Sequence, residues 1–136
     1  MVLTISQFNM KNAWKQPCLV AVTLLVGVTA NYAIAQSIGE KTFKQQCAAC
    51  HAVAADAPPG AGPNLRGIIG RDAGTLKGFA YSSEFKKALA GKKWTTELMQ
   101  SWLEDPQDVA PGTYMMYKQG NEEIRKIIID YLQSVN

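Results

Sequence analysis

The strongest constraint on the fold of this chain is the short run Cys47-Ala48-Ala49-Cys50-His51. The spacing Cys-x-x-Cys-His is the covalent attachment signature of c-type haem. In such a site both thiols become thioethers on the haem vinyl groups, and the adjacent histidine lies under the iron. Offsets of three and four residues share one face of a helix, so these three side chains suit a flat ring against a helix end. The run therefore predicts one covalent haem c on Cys47 and Cys50, with His51 as the proximal iron ligand.

Two other functions of a Cys-x-x-Cys pair fit the rest of the chain less well. A zinc site needs two more cysteine or histidine ligands, but the chain has only Cys18 besides this pair and no second histidine. A thioredoxin-like dithiol needs a strand–helix setting, whereas the residues before Cys47 have a helical pattern. Covalent haem is the interpretation that suits both the motif and its surroundings.

The first 35 residues have the pattern of a secretory signal peptide. Lys11 and Lys15 precede an apolar run over 18–30, and an Ala-Ile-Ala sequence ending at Ala35 supplies a small-x-small cleavage site. We expect a signal peptide over 1–35, cleaved after Ala35, and export to the periplasm. The alternative is an uncleaved membrane anchor, for which the apolar run is short because spanning hydrocarbon takes about 20 residues.

Charge and cysteine content also change with cleavage. The chain has 14 Lys+Arg and 11 Asp+Glu, and cleavage removes Lys11 and Lys15 but no acidic residue. Two haem propionates then bring the total to about neutral or slightly negative, so no nucleic-acid partner is expected. Cleavage also removes Cys18, so both remaining cysteines belong to the haem motif and no disulfide is expected.

The remaining residues, 36–136, predict one all-α domain of four to five short helices with long loops and no internal repeats. A chain of this length is small for a self-sufficient core, and a haem supplies the apolar body that it folds around. The first predicted helix runs from Ser37 to Cys50, and Ser37 and Glu40 form its capping box. Two further helices are predicted from Ser82 or Ser83 to Ala90 and from Thr95 or Thr96 to Glu104. The last predicted helix begins at Asn121. The buried stripe of the last helix is expected to contain Ile124, Ile127, Ile128, Tyr131 and Val135, and 105–120 is expected to be a loop.

Beyond the haem motif, residues 39–135 resemble class I cytochrome c, the small soluble electron carriers of mitochondrial and bacterial type. The motif alone is shared by many unrelated c-type proteins, whereas Pro-Gly-Thr-x-Met over 111–115 is much more selective at this distance and in this order. The other matching segments are Gly39-Glu40-Lys41-Thr42-Phe43, Gly62-Pro63-Asn64-Leu65, Gly70-Arg71, Gly78-Phe79-Ala80-Tyr81, Trp94, Pro106 and Tyr131-Leu132.

The resemblance implies a role for several residues. Met115 is similar to the distal iron ligand, and Pro63 to the residue whose carbonyl accepts a hydrogen bond from the second ring nitrogen of His51. Phe43 and Tyr131 resemble the pair at which the first and last helices cross, near Gly39. The positions that match hydrogen-bonding partners of the buried haem propionates are Arg71, Tyr81, Trp94 and Thr113.

Simpler interpretations of the same residues stay open at this stage. Met115 is also suited to filling a gap in the core, Tyr81 and Trp94 to ordinary core packing, and Arg71 to a solvated surface. The chain also departs from the family, since Trp102 stands where a tyrosine commonly hydrogen-bonds the ligand sulfur. Whether an indole N–H replaces that bond is left open.

The resemblance implies a one-electron carrier rather than an enzyme. A peroxidase-like enzyme needs an open or displaceable sixth position with a distal acid or base, and no second histidine exists; a haem sensor or assembly subunit has no support in the sequence. Partners are expected to be redox proteins that dock transiently at the haem edge of a monomer, with membrane contact only through such partners or an uncleaved signal. The lysines that surround this edge in mitochondrial carriers are absent, and the candidates for an apolar docking rim, or for simple loop packing, are Val109, Ala110, Tyr114 and Met116.

Overall fold

A computed structural model describes residues 34–136 of the protein as helices joined by long loops. The five helices are α1 over 34–46, α2 Ser83–Ala88, α3 Thr96–Glu104, α4 Pro106–Val109 and α5 Glu122–Ser134. In this part of the chain no strand forms, and the one sheet-like pairing is an isolated bridge between Asp72 and Lys93. The predicted all-α class is confirmed.

The signal-peptide prediction, 1–35, lies almost entirely outside the described residues. Over 34–136, no helix combines the length and the apolar character that crossing a membrane would require.

The first and last helices cross at a glycine, as the sequence predicts. A Cβ atom on Gly39 would lie only 2.7 Å from Tyr131 Cβ, so any larger residue would push the helices apart. One turn along α1, the rings of Phe43 and Tyr131 meet with their centroids 5.4 Å apart. Both rings are buried, and their packing fixes the helix end that leads into the cysteine motif.

Short polar side chains define the starts of the central and last helices. The hydroxyl oxygens of Ser82 and Thr95 accept hydrogen bonds from Phe85 N and Leu98 N, and Asn121 Oδ1 accepts one from Ile124 N. Such caps contribute about 1 kcal/mol each. They confirm the predicted start of α5 and decide which serine and which threonine begin α2 and α3.

The predicted start and end of the first helix are wrong. Ser37 lies inside α1, where its hydroxyl donates to the Ile34 carbonyl at 2.8 Å instead of capping the helix. Glu40 pairs with Lys44 one turn later rather than closing a capping box. The helix also ends at 46, and 47–50 form a turn instead of its last residues.

Three other features differ from prediction. α2 ends at Ala88 rather than Ala90. The buried apolar stripe of α5 consists of Ile128, Ile129, Tyr131 and Leu132, whereas the predicted members Ile124, Ile127 and Val135 are half-buried. The predicted loop 105–120 contains α4, because Pro106 begins a new helix as well as stopping α3. Proline is well suited to the first helical position, and the Asp105 side chain accepts from Gln107 N to cap it.

Candidate functional site

One cavity of about 420 Å³ brings together nearly all of the residues predicted to form the site. It lies between the cysteine turn and 61–68 on one side and α3 and the loop 113–117 on the other, and α5 contributes Ile128 and Leu132 at its base. The lining is mostly apolar. The predicted site residues on its wall are Cys47, Cys50, His51, Pro63, Tyr81, Trp94, Thr113 and Met115.

The cysteine motif forms a tight turn that keeps its three side chains together. Cys47 N donates to the Phe43 carbonyl at 2.8 Å, and His51 N donates to the Cys47 carbonyl at 2.9 Å. These i to i−4 bonds continue helical spacing through the motif although α1 has ended, so both cysteines and His51 face one cavity. Both thiols are free, and burial, with a smaller contribution from Cys50, raises the pKa of Cys47 to about 11. The turn therefore presents the Cys47 sulfur in its neutral form.

The orientation of His51 leaves one ring nitrogen open toward the cavity. His51 Nδ1 lies 2.8 Å from the Pro63 carbonyl oxygen, and because a carbonyl only accepts, Nδ1 carries the proton in this bond. The Nε2 lone pair is then the available metal ligand. Burial lowers the pKa of His51, and the hydrogen bond to Pro63 offsets part of this decrease. The ring is therefore held in the neutral form that can bind a metal.

A glycine permits this position of the imidazole. A Cβ atom on Gly62 would lie 2.3 Å from His51 Cε1 and 2.6 Å from Nδ1, closer than any side chain tolerates. Gly62 N also donates to the Cys50 carbonyl at 2.9 Å. The loop that follows the motif therefore packs closely against the imidazole ring of His51.

On the opposite side of the cavity, an indole N–H holds the Met115 sulfur. Trp102 Nε1 lies 3.1 Å from Met115 Sδ, which answers the question that the sequence leaves open. Trp102 is buried in α3, and a thioether sulfur is a weak acceptor. The contact fixes the side chain of Met115 and draws electron density from its sulfur.

A continuous aromatic cluster forms the wall beside Met115. Phe85 is its centre, with ring centroids 4.8 Å from Tyr81, 5.4 Å from Trp102 and 6.2 Å from Trp94. The two tryptophans also meet edge to face at 5.4 Å. Such pairs add roughly 0.5–1.5 kcal/mol each beyond the burial of their area, so this wall is rigid and dry.

The predicted propionate partners do not all lie on the cavity. Trp94 and Thr113 are buried on its wall and Tyr81 is half-buried there. Arg71 instead borders a separate cleft, where its guanidinium donates to the carbonyl oxygens of Asn64 at 2.9 Å and Arg66 at 3.2 Å. Burial lowers the pKa of Arg71 and raises that of Tyr81, and the charge of each group offsets part of the shift in the other. Arg71 therefore lies close enough to Tyr81 to act on it electrostatically.

Some residues that shape the site are not identified in the sequence. Phe85 gives no motif signal, although its place three residues after a capping serine on a short helix is typical of a buried position. The sequence around Gln107 does not indicate its contacts with the loop that carries Met115. The same holds for Tyr117 and Gln46, whose side chains are joined by a hydrogen bond of 2.6 Å. Ala110 is wrong as a rim residue, because it is fully buried.

The arrangement matches one protein family over the whole described domain. Residues 36–136 match the family model described as Cytochrome c. The chain belongs to the cytochrome c family.

The relatives and neighbours of this cytochrome c are consistent with that membership. Cytochrome c2 of Blastochloris viridis is 38% identical over 100 residues, which are 72% of this chain and 76% of that protein. Cytochrome c-550 of Ancylobacter novellus is 40% identical over 93 residues, 67% of this chain and 87% of that protein. The solved structure of cytochrome c2 from Rhodospirillum centenum superposes with a TM-score of 0.66 at 36% identity, and the match covers 74% of this chain and 98% of that one.

Membership in the cytochrome c family establishes the cofactor and the general function. Cytochromes c carry electrons on one covalently bound haem c, and this is the function of the present chain. The residues fit the group: two free thiols, an imidazole with one open nitrogen and a thioether sulfur face one apolar cavity. The fold and cofactor predicted from the sequence are confirmed.

Proposed function

We propose that this cytochrome c is a one-electron carrier in which His51 and Met115 ligate the iron, and Cys47 and Cys50 attach the haem. The observation that supports this most strongly is that both prospective ligands face the same cavity as both thiols. His51 presents its unprotonated nitrogen, and Met115 presents a sulfur already fixed by Trp102.

The protein's own residues supply a closed and rigid site. When bound, haem c supplies an iron that changes between the ferrous and ferric states. The Pro63 carbonyl orients His51 and increases its donor strength, while Trp102 weakens the sulfur donor opposite, which favours the reduced state. The rings of Phe85, Trp94 and Trp102 exclude water from the cavity wall beside Met115. If His51 and Met115 both hold the iron, it would keep no open position for a substrate, so we propose no enzymatic activity.

Buried polar groups support the proposed partners of the haem propionates. The Thr113 hydroxyl, the Trp94 indole N–H and the Tyr81 phenol are donors on a wall that is otherwise apolar. A buried carboxylate needs such donors, because desolvation otherwise favours its protonated form. Arg71 is proposed to act from behind Tyr81 through its charge rather than by lining the cavity.

Transient redox proteins are the proposed partners, and they would dock beside the loop of Met115. Tyr114 and Met116 line the cavity mouth and are 72% and 70% exposed, while Val109 is half-buried. Small apolar rims of this kind suit weak complexes that dissociate quickly. We propose a monomer that binds no nucleic acid and reaches membranes only through membrane-bound partners or an uncleaved signal.

Export to the periplasm is proposed from the pattern of the first 35 residues and from the haem motif. Attachment of haem to cysteines takes place on the exported side of the membrane in c-type cytochromes, which agrees with a leader that ends at Ala35. The electron donor and acceptor would then belong to an exported respiratory, photosynthetic or dehydrogenase chain.

Intact mass measurement of the purified holoprotein tests attachment and processing together. The expected mass is that of residues 36–136 plus one haem, and the haem should resist acid extraction. A mass that includes residues 1–35 would support the anchor alternative, and extractable haem would contradict thioether attachment. Stopped-flow reduction by a small one-electron reductant should proceed in one phase to a stable ferrous form.

A further inference from the structure

The loop that carries Met115 has little backbone support of its own. Thr113 N donates to the Ala110 carbonyl at 3.0 Å and Gln119 N to the Leu103 carbonyl at 2.8 Å. Between these two points, no backbone N–H donates to a backbone carbonyl within the described residues. Unsupported backbone of this kind opens easily, so something else must fix the position of Met115.

The side-chain amide of Gln107 bonds to the backbone of this loop at three points. Gln107 Oε1 accepts from Gly112 N at 2.9 Å. Gln107 Nε2 donates to the carbonyl oxygens of Thr113 at 2.9 Å and Met115 at 3.1 Å. In these contacts the amide oxygen accepts one hydrogen bond and each of the two N–H groups donates one, so the loop backbone engages every polar group of the amide.

The same amide lies beside the sulfur of the neighbouring methionine. Gln107 Nε2 is 3.4 Å from Met116 Sδ, and Met116 is 70% exposed. Trp102 Nε1 holds Met115 Sδ on the cavity side. The two adjacent sulfur atoms therefore lie beside different groups, Met115 Sδ beside the indole of Trp102 and Met116 Sδ beside the amide of Gln107.

Gln107 is itself held firmly enough to act on the loop. Its backbone N donates to Asp105 Oδ1 at 2.9 Å, which caps α4. Asp105 also forms an ion pair with Lys118, at the far end of the same loop. Pro106, buried beside Gln107, fixes the first turn of α4.

We propose that Gln107 is a positioning residue that holds the backbone of 112–115, so that the sulfur of Met115 faces the iron and that of Met116 does not. This inference rests on the proposed ligation by Met115. It assigns to α4, which the sequence does not predict, the task of keeping the sixth iron position closed.

Cyanide binding to the oxidised holoprotein tests the role of Gln107, because cyanide binds only when the Met115 sulfur has left the iron. Gln107→Leu removes every amide contact and keeps the side chain long. We expect binding to accelerate about tenfold or more, since two to three hydrogen bonds that close the loop are lost. The weak far-red absorption band that marks methionine–iron(III) ligation should also weaken.

Three further variants make the result specific. Gln107→Asn keeps the amide but shortens its reach, so an intermediate acceleration is expected, and it replaces Gln107→Leu if the latter does not accumulate. Met116→Leu keeps the amide–backbone bonds and should bind cyanide within about twofold of the wild-type rate. Gln133→Leu, at an exposed position of α5, is the matched control and should leave the rate unchanged.

Two results would overturn the inference, and they are distinguishable. Wild-type binding rates in both Gln107 variants, with the far-red band intact, would overturn the role of Gln107 alone. A wild-type protein that has no far-red band and binds cyanide at once would overturn the ligation by Met115, and the role of Gln107 with it.

Discussion

The two walls of the cavity are held in place in different ways. His51 is positioned by backbone groups, through the turn at Cys47 and the carbonyl of Pro63. Met115 is positioned by side chains from other elements, Trp102 in α3 and Gln107 in α4. The histidine wall therefore depends on the path of the backbone, whereas the methionine wall depends on two particular side chains of neighbouring helices.

This difference predicts the largest effect for loss of the covalent bonds. Cys47→Ser combined with Cys50→Ser should abolish covalent haem and leave the chain largely unfolded, because the haem fills the cavity around which the small core forms. The loss is expected to match the whole free energy of unfolding of a small domain, about 5–15 kcal/mol. Absorbance and circular dichroism measure it. A haem-free protein with native helix content and a cooperative thermal transition would show that the core does not depend on the haem.

Removal of the proposed iron ligand on the methionine wall should leave the fold intact and change the midpoint potential of the haem. Met115→Ala is expected to lower the midpoint potential by on the order of 100 mV, since the thioether favours ferrous iron. Met116→Ala is the matched control and should leave the potential close to that of the wild type. If Met116→Ala lowered the potential and Met115→Ala did not, the assignment of the ligand would be wrong by one residue. Spectroelectrochemical titration measures both variants.

A smaller effect is expected where the contact with the ligand is indirect. Trp102→Phe removes the N–H donor to Met115 Sδ and keeps an aromatic ring in the wall. The sulfur then donates more electron density to ferric iron, and the potential should fall by about 20–60 mV, the equivalent of one hydrogen bond in a one-electron couple. An unchanged potential, with the far-red band intact, would mean that the indole only packs against the methionine.

The smallest effect is expected at the ion pair that joins the ends of the methionine loop. The hydrogen bond from Lys118 holds the pKa of Asp105 below its ordinary value of 3.8. A depressed carboxyl pKa stabilises the fold above the unfolded pKa, and this stabilisation is lost as pH falls through the folded value. Asp105→Asn keeps an effective helix cap and removes the charge together with the acceptor for Lys118. The thermal midpoint of the wild type should exceed that of the variant at neutral pH, and the two should converge in acid below pH 3.8; a constant difference would contradict the role of the charge.

The contrast between the walls also explains how far the sequence predicts the molecule. The haem motif and the cap at Asn121 depend on short-range spacing, so they are visible in the chain, and the resemblance to the family predicts the helix crossing near Gly39. The prediction failed where one residue has two uses. Pro106 ends one helix and begins another, and Ser37 is a good cap that here lies inside a helix.

The supports of the methionine wall were not predictable for another reason. Gln107 and Gln46 are polar residues without a motif, and their value depends on which backbone groups the fold brings near them. The prediction for Arg71 illustrates the same limit. Its match to the family predicts a propionate contact, which stays a prediction, whereas the fold directs its guanidinium to two backbone carbonyls at a separate cleft.

The central claim is that the iron is closed on both sides, so that only electrons pass. Redox titration of the holoprotein with and without carbon monoxide tests it directly, because this ligand binds ferrous iron at an open position and would stabilise the reduced state by mass action. We expect one reversible one-electron transition with the same midpoint potential in both titrations. A midpoint that rises with the carbon monoxide concentration, in protein that is still folded, would contradict the account.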